Sequence, residues 1–226
     1  MIKNIFISLF FIALTILAFV ISTKLNKKLK STLLNPIMLS GIFIIIFLSI
    51  FKIPYSMYYK GGNILSGALG PIVVVLAIPL YKNRKELMKN FMPIIGGVMA
   101  SIVTSFVTVI SLCKLFGLDN TIMLSLLSKS ITTPMAVEST KLLGGNEAIT
   151  IVAVVITGLV GAAAAPMVIK YGKIKNNIAR GIGIGAAAHA LGTTKAIEMN
   201  DEIGAASGLA IGVTGLLTII TIIIFA

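Results

Sequence analysis

The feature that most constrains the fold is a series of apolar runs, each close to the length that crosses a bilayer. A transmembrane helix needs about 20 consecutive apolar residues. Runs of this kind recur along the whole chain of 226 residues, and short basic segments separate several of them. Of all residues, 57% are hydrophobic and 12% are charged, which is about half the charged fraction of an ordinary soluble domain. The sequence therefore predicts an all-α polytopic membrane protein.

We predict a single transmembrane domain over 1–226. Its six helices are expected at 4–22, 34–51, 61–81, 91–113, 148–169 and 203–225. The 61–81 helix is expected to be interrupted at Gly70-Pro71, because proline removes a backbone donor and clashes with the preceding turn. A cleaved signal peptide at 4–22 is disfavoured, since the apolar run is long and no small-residue cleavage pattern follows it.

A short polar pattern occurs twice inside apolar sequence. The first copy, at 128–138, reads Ser-Lys-Ser-Ile-Thr-Thr-Pro-Met-Ala-Val-Glu, and the second, at 189–198, reads His-Ala-Leu-Gly-Thr-Thr-Lys-Ala-Ile-Glu. Polar groups at membrane depth are costly unless they face protein or a wet cavity, so they indicate function. We therefore predict that 121–143 and 181–199 are broken or re-entrant segments of an inverted-repeat, transporter-like fold.

The net charge of +12 is explained by orientation in the membrane. Basic residues cluster at 24–30, 82–89 and 170–180, and short basic segments at helix ends stay in the cytoplasm. All three clusters are cytoplasmic only if 121–143 dips into the membrane and returns to the same side. The two patterned segments then enter from opposite faces, and the C-terminus is outside. Nucleic-acid binding is disfavoured, because no recognition motif or aromatic interleaving accompanies the charge.

The two patterned segments predict a site for a small carboxylate. The N-terminus of a broken helix presents free N–H groups and a partial positive charge. Hydroxyl groups of Thr or Ser can form hydrogen bonds with a hydroxyl or keto oxygen of the substrate. We assign substrate binding to the polar and glycine residues of both copies, namely Lys129, Ser130, Thr132, Thr133, His189, Gly192, Thr193 and Thr194. Coupling or supporting roles are assigned to Lys195, Glu138 and Asn63.

Each of these residues also has an interpretation in which it supports the structure and does not bind substrate. His189 can be a packed neutral histidine bonded to a carbonyl, Lys129 can snorkel to the interface, and the threonines can bond back to their own helix. Glu138 and Glu198 can be interfacial helix charges. No metal or other cofactor is expected, since the chain has one His and one Cys. An enzyme is disfavoured, because no nucleophile with a base can be assembled.

Several stretches carry motifs that are specific to one family. They lie at 69–71, 77–81, 129–134, 180–193 and 204–210, and the most specific are Lys-Ser-x-Thr-Thr-Pro and His-x-x-Gly-Thr. With them the chain resembles the LrgB/CidB family, which is described as antiholin-like modulators of murein hydrolases. The same family includes the C-terminal half of the plastidial glycolate/glycerate translocator. The chain departs from the family pattern at Ser128, where Pro is usual, and at Lys195, where Arg is commoner.

The resemblance implies a location, a partner and two functions. It implies a multi-pass protein of the bacterial cell membrane that works beside a small LrgA/CidA-type membrane protein, and we also expect a homo-oligomer. It implies either a secondary transporter of small monocarboxylates such as pyruvate, glycolate or glycerate, or an antiholin-like regulator of murein hydrolase activity and lysis. We favour the transporter, because the regulator leaves Lys129 and His189 without a task.

Overall fold

The computed structural model describes residues 2–29, 36–68, 71, 77–82 and 84–225. Within these ranges all regular structure is helical, which confirms the all-α prediction. The helices are α1 Ile2–Leu29, α2 Pro36–Ile50, α3 Tyr55–Ser66, α4 Ala77–Lys82, α5 Arg84–Lys89, α6 Phe91–Leu115, α7 Asn120–Leu127, α8 Thr133–Leu143, α9 Glu147–Tyr171, α10 Asn177–Met199 and α11 Asp201–Phe225.

Four helices among the described residues are long and apolar enough to cross a membrane. The crossing segments are Ile5–Asn26, Phe91–Leu115, Glu147–Tyr171 and Asp201–Ile224. They coincide with four of the predicted helices, and α2 is a shorter apolar helix of 15 residues. The basic segment at 24–30 was predicted as a loop, but α1 continues to Leu29. Lys and Leu are good helix formers, so the helix extends beyond its apolar run.

The chain divides into two compact units, Met1–Pro71 and Ile72–Ala226. In the first unit, α1 packs against α2 and α3. A Cβ atom on Gly61 of α3 would lie 2.8 Å from the carbonyl oxygen of Ser8, so glycine is required for this approach of α3 to α1. The Thr15 and Tyr58 hydroxyls are 3.1 Å apart. The predicted 61–81 helix is not continuous, because α3 ends at Ser66; part of the Gly-Pro break lies outside the described residues.

In the second unit, 121–143 is a helical hairpin, which we call hairpin 1 (residues 120–143). Its arms are α7 and α8, and residues 128–132 between them are not helical. The Asp119 side chain caps the start of α7 by accepting the N–H of Ile122. Gly144, at φ 72°, ends α8 in the left-handed conformation, which glycine adopts without strain.

Hydroxyl groups hold the two arms of hairpin 1 side by side. Ser128 donates to the carbonyl of Ala136 at 3.2 Å, and its Oγ is 3.0 Å from Thr140 Oγ1. At the other end of the hairpin, Asn146 N–H donates to Ser125 Oγ at 2.7 Å. The chain therefore reverses direction between α7 and α8, and the start of α7 and the end of α8 both lie opposite the tip of the hairpin. Ser128, where the resemblance leads us to expect proline, ties the arms together.

The second patterned segment is also folded back, and we call it hairpin 2 (residues 177–199). α10 is interrupted at His189, whose φ of 41° and ψ of −136° are not helical. A Cβ atom on Gly192 would lie 3.2 Å from the carbonyl oxygen of Ile184, although eight residues of a straight helix span about 12 Å. The two halves of α10 therefore pack against each other, and the chain reverses at His189.

The two halves of hairpin 2 both pack on α11. A Cβ atom on Gly181 would lie 2.5 Å from the carbonyl oxygen of Ile203, so the first half lies directly on the α11 backbone. The Thr193 hydroxyl of the second half is 2.6 Å from the Ser207 hydroxyl of α11. The predicted breaks in 121–143 and 181–199 are thus both present, each as a reversal of chain direction.

Candidate functional site

The tips of the two hairpins meet on α9 at Val154, in the first third of that helix. Ile131, in the tip of hairpin 1, packs in one buried cluster with Val154 of α9. His189, in the tip of hairpin 2, bonds to the carbonyl of the same Val154 at 2.9 Å. Hairpin 1 directly precedes α9 and hairpin 2 directly follows it. The hairpins therefore approach Val154 from opposite ends of α9, as expected of an inverted repeat.

The tip of hairpin 1 combines a free helix end with a cation. Thr132 is extended, and α8 begins at Thr133 with Pro134 in its first turn. The Oγ1 atom of Thr132 is buried and has no hydrogen-bond partner among the described residues. Because the first N–H groups of a helix have no partner inside it, this end of α8 presents donors toward the tip. The local sequence explains this end, since proline is favoured in the first turn of a helix.

Lys129 has hydroxyl partners at this tip. Its Nζ donates to Ser105 Oγ of α6 at 3.4 Å and to Ser130 Oγ at 3.3 Å. The described ion pairs are formed by Lys141 and Lys195, so within that part of the chain no carboxylate lies within salt-bridge distance of Lys129. An ammonium group that is half-buried and paired only with neutral hydroxyls is available to bind an anion.

His189 is packed against α9. It is 4% exposed, and a Cβ atom on Gly158 would lie 2.5 Å from its Cε1 atom. Since a carbonyl oxygen only accepts, the Nε2 atom that bonds to Val154 carries the proton. These are the contacts of a packed neutral histidine bonded to a backbone carbonyl. In this role His189 anchors the tip of hairpin 2 to α9.

The other predicted residues of the second copy have structural contacts. Gly192 is buried against the first half of hairpin 2, and Thr193 bonds to Ser207. Thr194 is exposed and donates to the Ala190 carbonyl of its own helix. Lys195 forms an ion pair with Glu198 at 2.9 Å.

Two supporting residues remain, Glu138 and Asn63. Glu138 pairs with Lys141 at 3.0 Å on α8. Asn63 is exposed on α3 in the other compact unit. Glu138 has no described hydrogen bond or ion pair with Lys129 or His189.

A cleft beside the tip of hairpin 1 contains residues that the sequence did not single out. It encloses about 200 Å³ of empty space, including its open mouth. The space inside it that a water-sized molecule can enter is about 10 Å³, which is room for about one water molecule. We call it the hydroxyl cleft, because its polar lining consists of Ser101, Ser105, Ser130, Thr214 and Thr218. Neither Lys129 nor His189 is among its lining residues, so a common cavity for these two side chains stays a prediction.

The described residues contain no group of three or more His, Cys, Asp or Glu side chains able to hold a metal ion. Four of the five hydroxyl-bearing residues of the cleft lie on two helices that are far apart in sequence. The missed residues Ser101 and Ser105 are on α6, and Thr214 and Thr218 are on α11. Their spacing of four residues on each helix is the one signal that could have indicated a shared polar face.

Comparison with known proteins identifies the family. A model of the LrgB-like family matches residues 15–226. The chain belongs to this family. The "Holin-like protein CidB" of Staphylococcus epidermidis is 37% identical over 211 residues, which cover 93% of this chain and 92% of that protein. The protein of the same name from Staphylococcus aureus is 34% identical over 215 residues, with 95% and 94% covered.

A third relative has no described function. The "Uncharacterized protein YxaC" of Bacillus subtilis is 37% identical over 195 residues, which cover 86% of this chain and 85% of that protein. No solved structure matches the chain. The family membership and the four apolar helices establish a multi-pass bacterial membrane protein, and the LrgB-like family is not a family of enzymes.

Proposed function

We propose that this LrgB-like protein is a secondary transporter of small monocarboxylates, and that the tip of hairpin 1 binds the carboxylate. The observation that carries the proposal is the unpaired cation at a broken helix. Lys129 has only hydroxyl partners among the described residues, and the adjacent Thr132 hydroxyl is buried without a partner. A carboxylate between them receives several charge-assisted bonds, which offset the cost of removing it from water.

The arrangement of the hairpins supports transport rather than static binding. Two hairpins that approach Val154 of α9 from opposite ends are the kind of discontinuous segment in which carriers place substrate near the centre of the membrane. Each hairpin can expose the site to one side when it moves. His189 anchors one tip to α9 through Val154, so we assign it to the support of hairpin 2 in this conformation.

We further propose that the transporter works beside a small LrgA/CidA-type membrane protein and forms a homo-oligomer. The family resemblance supports the first part of this proposal. The competing candidate is an antiholin-like regulator of murein hydrolases without a transport site of its own. The word "holin-like" in the names of two relatives favours this candidate, and the experiment below separates the two.

Uptake into proteoliposomes tests the proposal. The protein is reconstituted with and without the small partner, and uptake of labelled pyruvate and glycolate is measured for the parent and for Lys129→Met and Thr132→Val. A hydrogen bond to a charged group contributes about 1.5–3 kcal/mol, so we expect Lys129→Met to lower uptake by about 10- to 100-fold. Thr132→Val should have a smaller effect of the same direction.

Lys114→Met is the matched control, because Lys114 is exposed in the last turn of α6. It removes one lysine charge without touching the tip of hairpin 1, so its uptake should equal that of the parent. If Lys129→Met and Thr132→Val transport at the parent's rate, the carboxylate does not bind at this tip. Absence of uptake by the parent with its partner would leave the regulator as the function.

A further inference from the structure

A groove rich in basic residues lies where α9 ends and hairpin 2 begins. It has room for about 410 Å³, which is within the range of about 300–1,000 Å³ of ligand pockets. We call it the basic groove, because its lining includes four cationic residues, namely Lys170, Lys173, Lys175 and Arg180. The rest of its lining is apolar and consists of Pro166, Ile169 and Ile174. The groove therefore combines positive charge with apolar surface.

The cations of the basic groove have no carboxylate partner in the described part of the chain. The ion pairs found there belong to Lys141 and Lys195. Glu202 accepts a hydrogen bond from the side-chain amide of Asn177 at 2.7 Å, but it forms no ion pair with Arg180. Cations that are gathered without a counter-charge repel one another and attract an anion. The groove is therefore suited to an anionic group.

Arg180 is oriented by its own hydrogen bonds. Its Nε donates to the Ile174 carbonyl at 2.7 Å, and its Nη1 donates to Asn177 Oδ1 at 3.2 Å. A guanidinium group has five N–H donors, so three remain after these two bonds. Because the bonds fix the plane of the group, the remaining donors are oriented before a ligand arrives. A guanidinium group matches the geometry of a phosphate, so phosphate is the anion that this arrangement favours.

The position of the groove favours a lipid over a soluble anion. α9 is one of the helices long and apolar enough to cross the membrane, and Lys170 is in its last turn. The adjacent Tyr171 is exposed, as is usual for an aromatic residue at the level of lipid headgroups. Pro166 precedes Lys170 by four residues, which is about 6 Å deeper along the helix. The groove thus offers cations at headgroup level and apolar surface toward the acyl chains.

We propose that the basic groove binds an anionic phospholipid, with the phosphate against Arg180 and the lysines and the adjoining carbon atoms along the apolar lining. Basic pockets between membrane helices on the cytoplasmic side bind anionic headgroups in this way. Lys170 belongs to α9 and Arg180 to hairpin 2, so the bound lipid joins these two elements. The proposal is independent of the transport function, because it involves no residue of hairpin 1.

Lipid binding to the purified protein in a neutral detergent tests the proposal. The protein is titrated with phosphatidylglycerol or with phosphatidylcholine, and native mass spectrometry gives the Kd of the first bound lipid. Phosphatidylcholine contains the same phosphate but has no net charge, so it should bind more weakly. Lys173→Gln combined with Lys175→Gln removes two cations of the groove. Because one lysine at a membrane surface changes affinity by about fivefold, this variant should bind phosphatidylglycerol about 10- to 30-fold more weakly.

Lys82→Gln combined with Lys85→Gln is the matched control. Both lysines are exposed, they belong to the same compact unit, and they do not line the groove. This control loses the same two charges, so an effect of net charge alone appears in it equally. Its affinity for phosphatidylglycerol should equal that of the parent. If the groove variant does not assemble, Lys175→Gln alone should weaken binding by about fivefold.

Three results would overturn the proposal. Equal affinity of the parent for the two lipids would show that the groove does not select an anionic headgroup. Equal affinity of the groove variant and its control for phosphatidylglycerol would show that the lysines of the groove do not hold the lipid. Displacement of the lipid by inorganic phosphate at the same concentration, with the ionic strength held constant, would show that the groove is a site for a soluble anion.

Discussion

The packing of hairpin 2 on α11 predicts different effects on stability for two glycine-to-alanine substitutions that are two residues apart. A Cβ atom on Gly181 would lie 2.5 Å from Ile203 O, 2.6 Å from Ala206 Cβ and 2.9 Å from Ser207 N. Gly183 is on the other side of the same helical segment, and a Cβ atom there meets nothing within 4 Å. Gly181→Ala should therefore destabilise the protein, while Gly183→Ala should not.

The magnitude follows from the difference between the two variants. Each substitution adds one methyl group and gains about 0.5–1 kcal/mol because alanine favours a helix, so this gain cancels in the comparison. What remains is the cost of forcing a methyl group into a packed interface, about 1–3 kcal/mol. Two of the three atoms near Gly181 are backbone atoms, Ile203 O and Ser207 N, which cannot turn aside as a side chain does. We expect the upper part of this range.

Thermal unfolding in detergent measures the difference. Cys113 is the single cysteine and is 2% exposed, so its reaction with a fluorogenic maleimide reports unfolding without any added label. Soluble domains of 150–250 residues lose about 2–4 °C of Tm per kcal/mol, so a cost of about 2–3 kcal/mol predicts that Gly181→Ala melts about 4–12 °C below Gly183→Ala. Equal melting temperatures for the two variants would show that hairpin 2 does not lie on the α11 backbone as described.

Two further predictions concern His189 and the orientation of the chain. Both His189→Gly and His189→Ala lose the bond to Val154, but only glycine adopts a φ of 41° without the backbone cost of about 1–3 kcal/mol; His189→Gly should therefore melt above His189→Ala, and the reverse order would contradict the reversal of the chain at this residue. On a Cys113→Ala background, single cysteines in the three basic segments should all be protected from an impermeant thiol reagent added to intact cells, at positions 27, 85 and 174. Labelling at 174 with protection at 27 would show that hairpin 1 crosses the membrane.

The sequence predicted the fold class and the two interruptions because both depend on local properties. An apolar run of about 20 residues is read directly from composition, and Pro134 marks the start of a helix through its missing donor. The repeated pattern also drew attention to Lys129 and Thr132, since a charge or a pair of hydroxyls stands out in apolar sequence, and their role in binding stays a prediction. The helix bounds were less accurate at basic ends, where α1 runs to Leu29, because lysine-rich sequence supports a helix inside or outside the membrane.

The sequence could not assign the different tasks of the two copies. Lys129 and His189 occupy corresponding places in the pattern, yet Lys129 bonds to hydroxyls of α6 and hairpin 1, while His189 bonds to the backbone of α9. The difference arises from what each tip meets. Gly158 leaves room for the imidazole ring beside α9, and no local pattern in hairpin 2 reveals that room.

Taken by itself, the sequence determined that the chain is a helical membrane protein with two polar interruptions, because hydropathy and helix-breaking residues act over a few turns of chain. Only the tertiary structure decided which hydroxyls face the same space. Ser105 meets Ser130 across 25 residues, and Ser101 meets Ala186 across 85. A serine or threonine in an apolar helix satisfies itself equally well on any face by bonding to its own backbone. The face that lines the hydroxyl cleft is therefore fixed by the packing of α6, hairpin 1 and α11.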